Sequence, residues 1–146
     1  MDQEEFEMVE LVVGAKGIGK TKVLLEKAAE AVKNANGTVV YVDKNKQHMY
    51  ELSNKIRLVD ITQYPVKGEI GFLGFVSGMI ASDHDLEYVI LDSFLKITGI
   101  EDNNMVDSLN TIKALSEMYG VNFVISISKE EKDIPEEVKD LISVAL

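Results

Sequence analysis

Apolar residues fall along this chain in two alternating patterns: short β-branched runs, and longer stretches with apolar positions recurring every three or four residues. Met8 to Val13 is the first run and leads into Gly14. From Lys20 onward Leu24, Leu25, Ala28, Ala31 and Val32 share one helical face, and Gly37 is expected to stop that helix. Thr38 to Val42 predicts a second strand ending at Asp43, and Ile56 to Val59 a short one after a weak helix around Met49 to Leu52. From Gly68 to Ile80 the pattern is helical. Gly68, Gly71, Gly74 and Gly78 recur there at spacings of three and four, which implies a face closely approached by a neighbouring element. Tyr88 to Asp92 is a third full strand. Glu101, Asp102, Asn103 and Asn104 then offer caps for a helix carrying Val106, Leu109, Ile112, Leu115 and Met118, which Gly120 ends. Asn122 to Ser128 is a fourth full strand, and Pro135 opens a last helix with Val138, Leu141, Ile142 and Ala145 on one face.

Strands thus alternate with helices, and strand interiors are almost continuously apolar. That is the pattern of a parallel sheet covered on both faces, an α/β fold in three layers. The chain has 146 residues, room for one domain. Residues 1–146 are read as a single domain, with the acidic residues 1–7 as a flexible N-terminal extension.

Charge narrows the partners. Residues 1–67 hold 10 basic and 10 acidic side chains, whereas residues 68–146 hold 5 basic and 15 acidic, so the second half carries the whole net charge of −10. A polyanion would be repelled there, which makes nucleic acid an unsuitable partner and places any anion site in the first half. The chain has no cysteine, which excludes disulfides, thiolate nucleophiles and Cys-ligated zinc. His48 and His84 lie at no metal-binding spacing, and Asp83-His84-Asp85 reads as a polar loop. No apolar run reaches the roughly 18 residues that span a bilayer, and an acidic start has the wrong charge for a signal peptide. A cytoplasmic protein without membrane insertion is expected.

The segment that carries chemistry is Gly14-Ala15-Lys16-Gly17-Ile18-Gly19-Lys20-Thr21, a full match to G-x-x-x-x-G-K-[ST]. Glycines let such a loop curl until its backbone N–H groups point at phosphate oxygens, and the helix beginning at Lys20 adds its N-terminal dipole. Lys20 is placed to reach the β- and γ-phosphates and the Thr21 hydroxyl to hold Mg²⁺; Lys22 completes the expected nucleotide-binding stretch. The loop follows an apolar strand and opens a helix, the context this mechanism demands. The strand from Tyr88 to Asp92 ends in a carboxylate, the Walker B pattern, and Asp92 is the second expected ligand of the metal. The cofactors expected are ATP or ADP with Mg²⁺.

With these motifs the chain resembles the RecA-like branch of P-loop NTPases from Val9 to about Ser128. The matching points are the P-loop, Val40-Tyr41-Val42-Asp43, Val89-Ile90-Leu91-Asp92-Ser93, and Val124 to Ser128. It is also similar to small P-loop proteins of Gram-positive anaerobes sometimes labelled PilT-like after a pilus-retraction ATPase, though it lacks that enzyme's histidine and acidic boxes. The resemblance implies a P-loop NTPase fold with a mainly parallel sheet of four or five strands. Counting the full strands, the implied order is 1-4-3-2, with the short Ile56 to Val59 strand beyond strand two. It also implies a polar γ-phosphate sensor at Ser128.

Departures from the family pattern bear on activity. RecA-like ATPases carry a water-activating glutamate just after strand two; here Asp43-Lys44-Asn45-Lys46 has Asn45, which cannot act as a base, so Asp43 is the candidate. Ser93 follows Asp92, so no glutamate stands directly after the metal ligand. Arg57 is the only arginine and the only candidate finger. Nucleotide kinases clamp their polyphosphates with several arginines, and GTPases need Asn-Lys-x-Asp where this chain has Asn45-Lys46-Gln47-His48. The ParA/MinD signature lysine is replaced by Ala15. Lys129 and Lys132, among Glu130, Glu131 and Asp133, read as a solvated turn. Two functions follow: an ATPase that is weak alone and stimulated by a protein partner or by self-association, or a non-catalytic nucleotide-dependent switch or adaptor module. A small-molecule or nucleotide kinase ranks below both.

Overall fold

The β-branched runs form one six-stranded sheet in which every pairing is parallel. The computed structural model describes residues 8–100 and 104–146; the extension expected at 1–7 and the capping residues Glu101, Asp102 and Asn103 lie outside them. The elements are β1 (Val9–Val13), α1 (Lys20–Asn34), β2 (Thr38–Asp43), β3 (Ile56–Asp60), α2 (Gly68–Ser82), β4 (Leu86–Leu91), α3 (Phe94–Thr98), α4 (Met105–Tyr119), β5 (Asn122–Ile127) and β6 (Ile142–Ala145). The strands lie in the order β3-β2-β4-β5-β1-β6.

Successive strand residues point to opposite faces, so each apolar strand feeds two cores. Val12, Tyr41, Ile90 and Val124 pack with Leu24, Ala28 and Ala31 of α1. Leu11, Val13, Val42, Leu91 and Ile125 face the other way, against Phe72 and Val76 of α2, Phe94 of α3, and Leu109 and Ile112 of α4. The result is three layers. Phe72 and Phe94 meet edge to face at 5.7 Å between centroids, an arrangement that suits the ring quadrupoles and joins α2 to α3.

Several expectations change. The sheet has six strands rather than four or five, and its order differs from 1-4-3-2 by an edge strand beyond β1. That strand, β6, replaces the end of the expected last helix: Glu136–Leu141 is a 3₁₀ segment, and Ile142–Ala145 pairs with β1. Val138 and Leu141 are buried at the i, i+3 spacing a 3₁₀ turn also satisfies. Ile142 and Val144 alternate with Ser143 and Ala145, which suits a half-exposed edge strand. The pairing satisfies the backbone of β1, down to a Leu146 N–H donated to Val13 O at 2.9 Å.

The glycine face of α2 is open instead of closely approached. A methyl group added at Gly74 or Gly78 would meet nothing within 4 Å, and both line a cavity of about 420 Å³ beside Val40, Arg57 and Phe75. α2 buries Phe72, Val76 and Ile80 instead. Gly37 does not end α1, which stops at Asn34 with Ala35 as its cap. Its role is space: a Cβ there would stand 1.9 Å from the Asp85 carbonyl oxygen. The weak helix near Met49 is a 3₁₀ turn over Met49–Glu51, and α3 is an element the pattern does not announce. Among the described residues no helix is long and apolar enough to cross a membrane.

Candidate functional site

Parallel pairing brings the carboxyl ends of β1, β2, β4 and β5 to one edge of the sheet. The register sets Val42 beside Leu91, Leu91 beside Ile125, and Val13 beside Ile127. The residues just past these positions, Gly14, Asp43, Asp92 and Ser128, therefore gather at the edge where open α/β sheets bind ligands.

The glycine-rich loop connects β1 to α1. Gly17 has φ 83° and Gly19 φ 109°, conformations that L side chains rarely adopt, so glycine at these two positions permits the curl. Gly19 is also the N-cap of α1, and no side chain bonds to the helix start there. The first-turn N–H groups and the positive end of the helix dipole thus face the loop. Lys20 is only 7% exposed, and its Nζ donates to Ala15 O at 2.9 Å, folding the amine back over the loop. Burial holds that amine below the ordinary lysine range, while the charge of Asp92 opposes the shift. Ala15, Lys16 and Ile18 are exposed, and so is Lys22 on the first turn of α1.

The Thr21 Oγ1 donates to Asp92 Oδ2 at 3.1 Å. Residues 71 positions apart in sequence are thereby joined where the loop meets the end of β4. Asp92 is 3% exposed and accepts on both oxygens: the Tyr41 hydroxyl reaches Oδ2 at 2.8 Å, and the Ser126 hydroxyl reaches Oδ1 at 3.1 Å. Ser126 Oγ accepts in turn from the Ser93 N–H at 2.7 Å. Ser93 is the residue with positive φ (60°) among the described non-glycines, which marks a sharp turn directly after Asp92. Burial pushes the Tyr41 hydroxyl far above its ordinary range, and the Asp92 charge adds to this, so it stays a donor.

Sequence reasoning missed Tyr41 and Ser126. The available signal was a hydroxyl flanked by apolar neighbours inside each strand, Tyr41 between Val40 and Val42 and Ser126 between Ile125 and Ile127, since a buried polar atom needs a partner. Asp43 is 5% exposed at the end of β2, with its Oδ1 accepting the Lys44 N–H at 2.7 Å. Burial raises the Asp43 carboxyl above its ordinary range; the Lys44 N–H opposes that, and the Asp92 charge adds to it. Ser128 is exposed one residue beyond β5 and lines a cavity with Lys16, Lys44 and Lys96; the serine that touches Asp92 is Ser126. Arg57 is exposed on β3 and lines the apolar cavity beside α2. Lys132 pairs with Glu130 at 3.9 Å on an exposed turn, whereas Lys129 lines the cavity of Ser128.

Among the described residues no three His, Asp or Glu side chains cluster as a metal cage. The donor set that fits a divalent ion is the Thr21 hydroxyl with the Asp92 carboxylate. Mg²⁺ commonly takes one or two protein oxygens and completes its octahedron with other oxygens, so a sparse pair of this kind is compatible with it. The chain matches no protein-family model, and no curated protein matches its sequence.

Proposed function

We propose that the chain is a RecA-like P-loop protein that binds ATP or ADP with Mg²⁺ and hydrolyses ATP slowly by itself, faster when assembled or bound to a protein partner. The observation that carries this reading is the Thr21–Asp92 hydrogen bond. It joins the two motifs that a P-loop protein uses to hold its metal, at the start of α1 and the end of β4. The loop N–H groups and the α1 dipole would receive the phosphates, with Lys20 turning from Ala15 O towards them. Thr21 and Asp92 would hold the ion, which supplies charge neutralisation at the phosphates when bound. Tyr41 and Ser126 fix the orientation of Asp92 through its two oxygens.

Asp43 is the candidate proton acceptor. Its raised carboxyl is better matched to accepting a proton than an ordinary aspartate, and it stands on the strand beside that of Asp92. A second reading, a nucleotide-dependent switch without significant turnover, is favoured by Asn45 at the position where relatives place glutamate. Calorimetry with ATP and ADP in excess Mg²⁺ tests the binding. Affinity should be detectable below millimolar concentration, and Lys20→Ala should weaken triphosphate binding at least tenfold with the thermal midpoint nearly kept. No heat of binding at millimolar nucleotide would overturn the proposal. Steady-state phosphate release by wild type and Lys20→Ala separates the two readings: equal, background-level release leaves only the switch.

A further inference from the structure

Arg57, the only arginine of the chain, lines the cavity beside α2 and none at the glycine-rich loop. It stands on the edge strand β3, where the register sets it beside Val40 of β2. Strand alternation puts Arg57 and Val59 on the sheet face that α2 covers. α2 seats on that face through Phe72, Val76 and Ile80 and leaves to one side a cavity of about 420 Å³. Val40, Val59, Phe75, Met79 and Leu86 give it apolar walls. Such a volume, with a few polar groups among apolar walls, falls in the range of about 300–1,000 Å³ found for small-molecule sites.

Gly74 and Gly78, one turn apart on α2, keep this space open. Neither has a positive φ, and a Cβ on either would meet nothing within 4 Å. Backbone conformation and close packing therefore give no reason for glycine, which is a poor helix former. A choice that weakens a helix without a return in packing belongs where function needs the room. The charges on the walls say what the room is for. Arg57 and Asp83 both line the cavity, yet among the described residues Arg57 makes no ion pair, with Asp83 or with any other acid. Asp83 accepts the Asp85 N–H on Oδ1 at 2.9 Å, and its Oδ2 accepts nothing among the described residues. A wall with one cation and one anion suits a ligand that carries both charges. A plain anion would be held by Arg57 but repelled by Asp83, in a chain of net charge −10.

We propose that the cavity beside α2 binds a small zwitterion with an apolar body, an α-amino acid of the size of phenylalanine, with its carboxylate at Arg57 and its ammonium at Asp83. The planar guanidinium takes a carboxylate through two parallel N–H bonds, and Asp83 Oδ2 accepts from the ammonium. The apolar body takes the space that the two glycines leave against Val40 and Phe75. Thr38 opens β2 and Leu86 opens β4, so this end of the cavity lies at the amino edge of the sheet, away from Asp43 and Asp92. The inference is independent of the nucleotide-binding reading above.

Calorimetry on the full chain without nucleotide tests this, with L-phenylalanine as the probe. Phenylpropanoate, which lacks the ammonium, and phenethylamine, which lacks the carboxylate, are the single-charge controls. Wild type should bind phenylalanine below millimolar concentration and each control at least tenfold more weakly. Arg57→Gln should weaken phenylalanine binding at least fivefold, and so should Asp83→Asn, which keeps an oxygen for the Asp85 N–H. Gly78→Ala should raise the thermal midpoint of the free chain, because alanine suits a helix and meets no obstacle, while weakening phenylalanine binding. Gly78→Leu should abolish binding by filling the space, and Gly78→Ala keeps the test valid if the larger side chain unfolds the protein. A rise in midpoint with Gly78→Ala and no heat with phenylalanine at millimolar concentration would make the cavity a packing void and overturn the proposal. Phenylpropanoate or phenethylamine binding as tightly as phenylalanine would overturn it too, as would phenylalanine binding unchanged in Arg57→Gln and Asp83→Asn.

Discussion

Two buried carboxylates end neighbouring strands, and their surroundings differ in kind. Asp92 is met by the hydroxyls of Thr21, Tyr41 and Ser126, whereas for Asp43 desolvation outweighs the one backbone N–H, that of Lys44, which it accepts. The difference has a thermodynamic sign. The folded Asp43 carboxyl keeps its proton to a higher pH than the ordinary value of 3.8 that describes the unfolded chain. Between those values the folded state binds more protons, so its stability falls as pH rises through that window. The favourable contribution is fully present below pH 3.8 and lost above the raised folded value, where the ionised Asp43 is poorly solvated. Asp43→Asn keeps an oxygen for the Lys44 N–H and removes the charge. It should stabilise the chain at pH 7 by about 0.5–2 kcal/mol, the usual return from removing one unfavourable charge. Urea midpoints measured from pH 7 down to pH 4 check this, because the advantage of the variant should shrink as wild-type Asp43 takes up its proton. A wild type more stable than Asp43→Asn at pH 7 would show that the ionised carboxylate is well solvated.

At the scale of elements, the strands were legible because a strand buried on both faces is a continuous apolar run, and that run is a local property of the sequence. Val89, Ile90 and Leu91 of β4 and Phe123, Val124 and Ile125 of β5 are runs of this kind. The loop was equally legible, since the glycines at 17 and 19 serve local geometry. What escaped depends on what a segment meets. Val138, Leu141, Ile142 and Ala145 fit a helical face, yet the open edge of β1 recruits Ile142–Ala145 as a strand, and no local pattern reports an edge in need of a partner. Tyr41 and Ser126 became legible as site residues only once β2 and β5 flanked β4. The cavity beside α2 likewise needs β2, β3 and α2 to come together. Gly37 makes the same point in testable form. It reads as a helix stop, but its own N–H bonds Glu87 Oε1 at 2.7 Å and its Cα faces the Asp85 carbonyl oxygen. Gly37→Ala should therefore cost about 1–3 kcal/mol or more by forcing the turn before β2 away from the one before β4. A denaturant midpoint unchanged at constant slope would contradict that close approach.

For the whole molecule, the proposed chemistry predicts a slow enzyme, because one sheet edge holds only some of the parts that hydrolysis needs. In that proposal the curled loop with Lys20, and Thr21 with Asp92 as the metal pair, would supply binding and charge neutralisation. Asn45 supplies no base, and Arg57, on the face of the cavity beside α2, lines no cavity at the loop. General-base assistance is worth about 10²–10⁴ in rate, and typical turnover is about 1–10³ per second, so the isolated chain should turn over well below one ATP per second. An arginine finger supplied in trans adds about 10³–10⁵ in related phosphoryl transfers, so contact with a second protein surface has ample room to accelerate the reaction. Tyr50, after β2, and Ile70, in the first turn of α2, are exposed apolar residues open to such contact. Turnover per chain should thus be low and flat at nanomolar protein and rise at concentrations where the chain self-associates or meets a partner. Phosphate release measured across that range, beside sedimentation at the same concentrations, checks the coupling. About ten turnovers per second at nanomolar protein, where the chain sediments as a monomer, would mean that Asp43 and the lysines around the loop complete the site unaided. Repeating the measurement with Asp43→Asn then assigns the base, because loss of turnover with nucleotide affinity intact places the proton on Asp43.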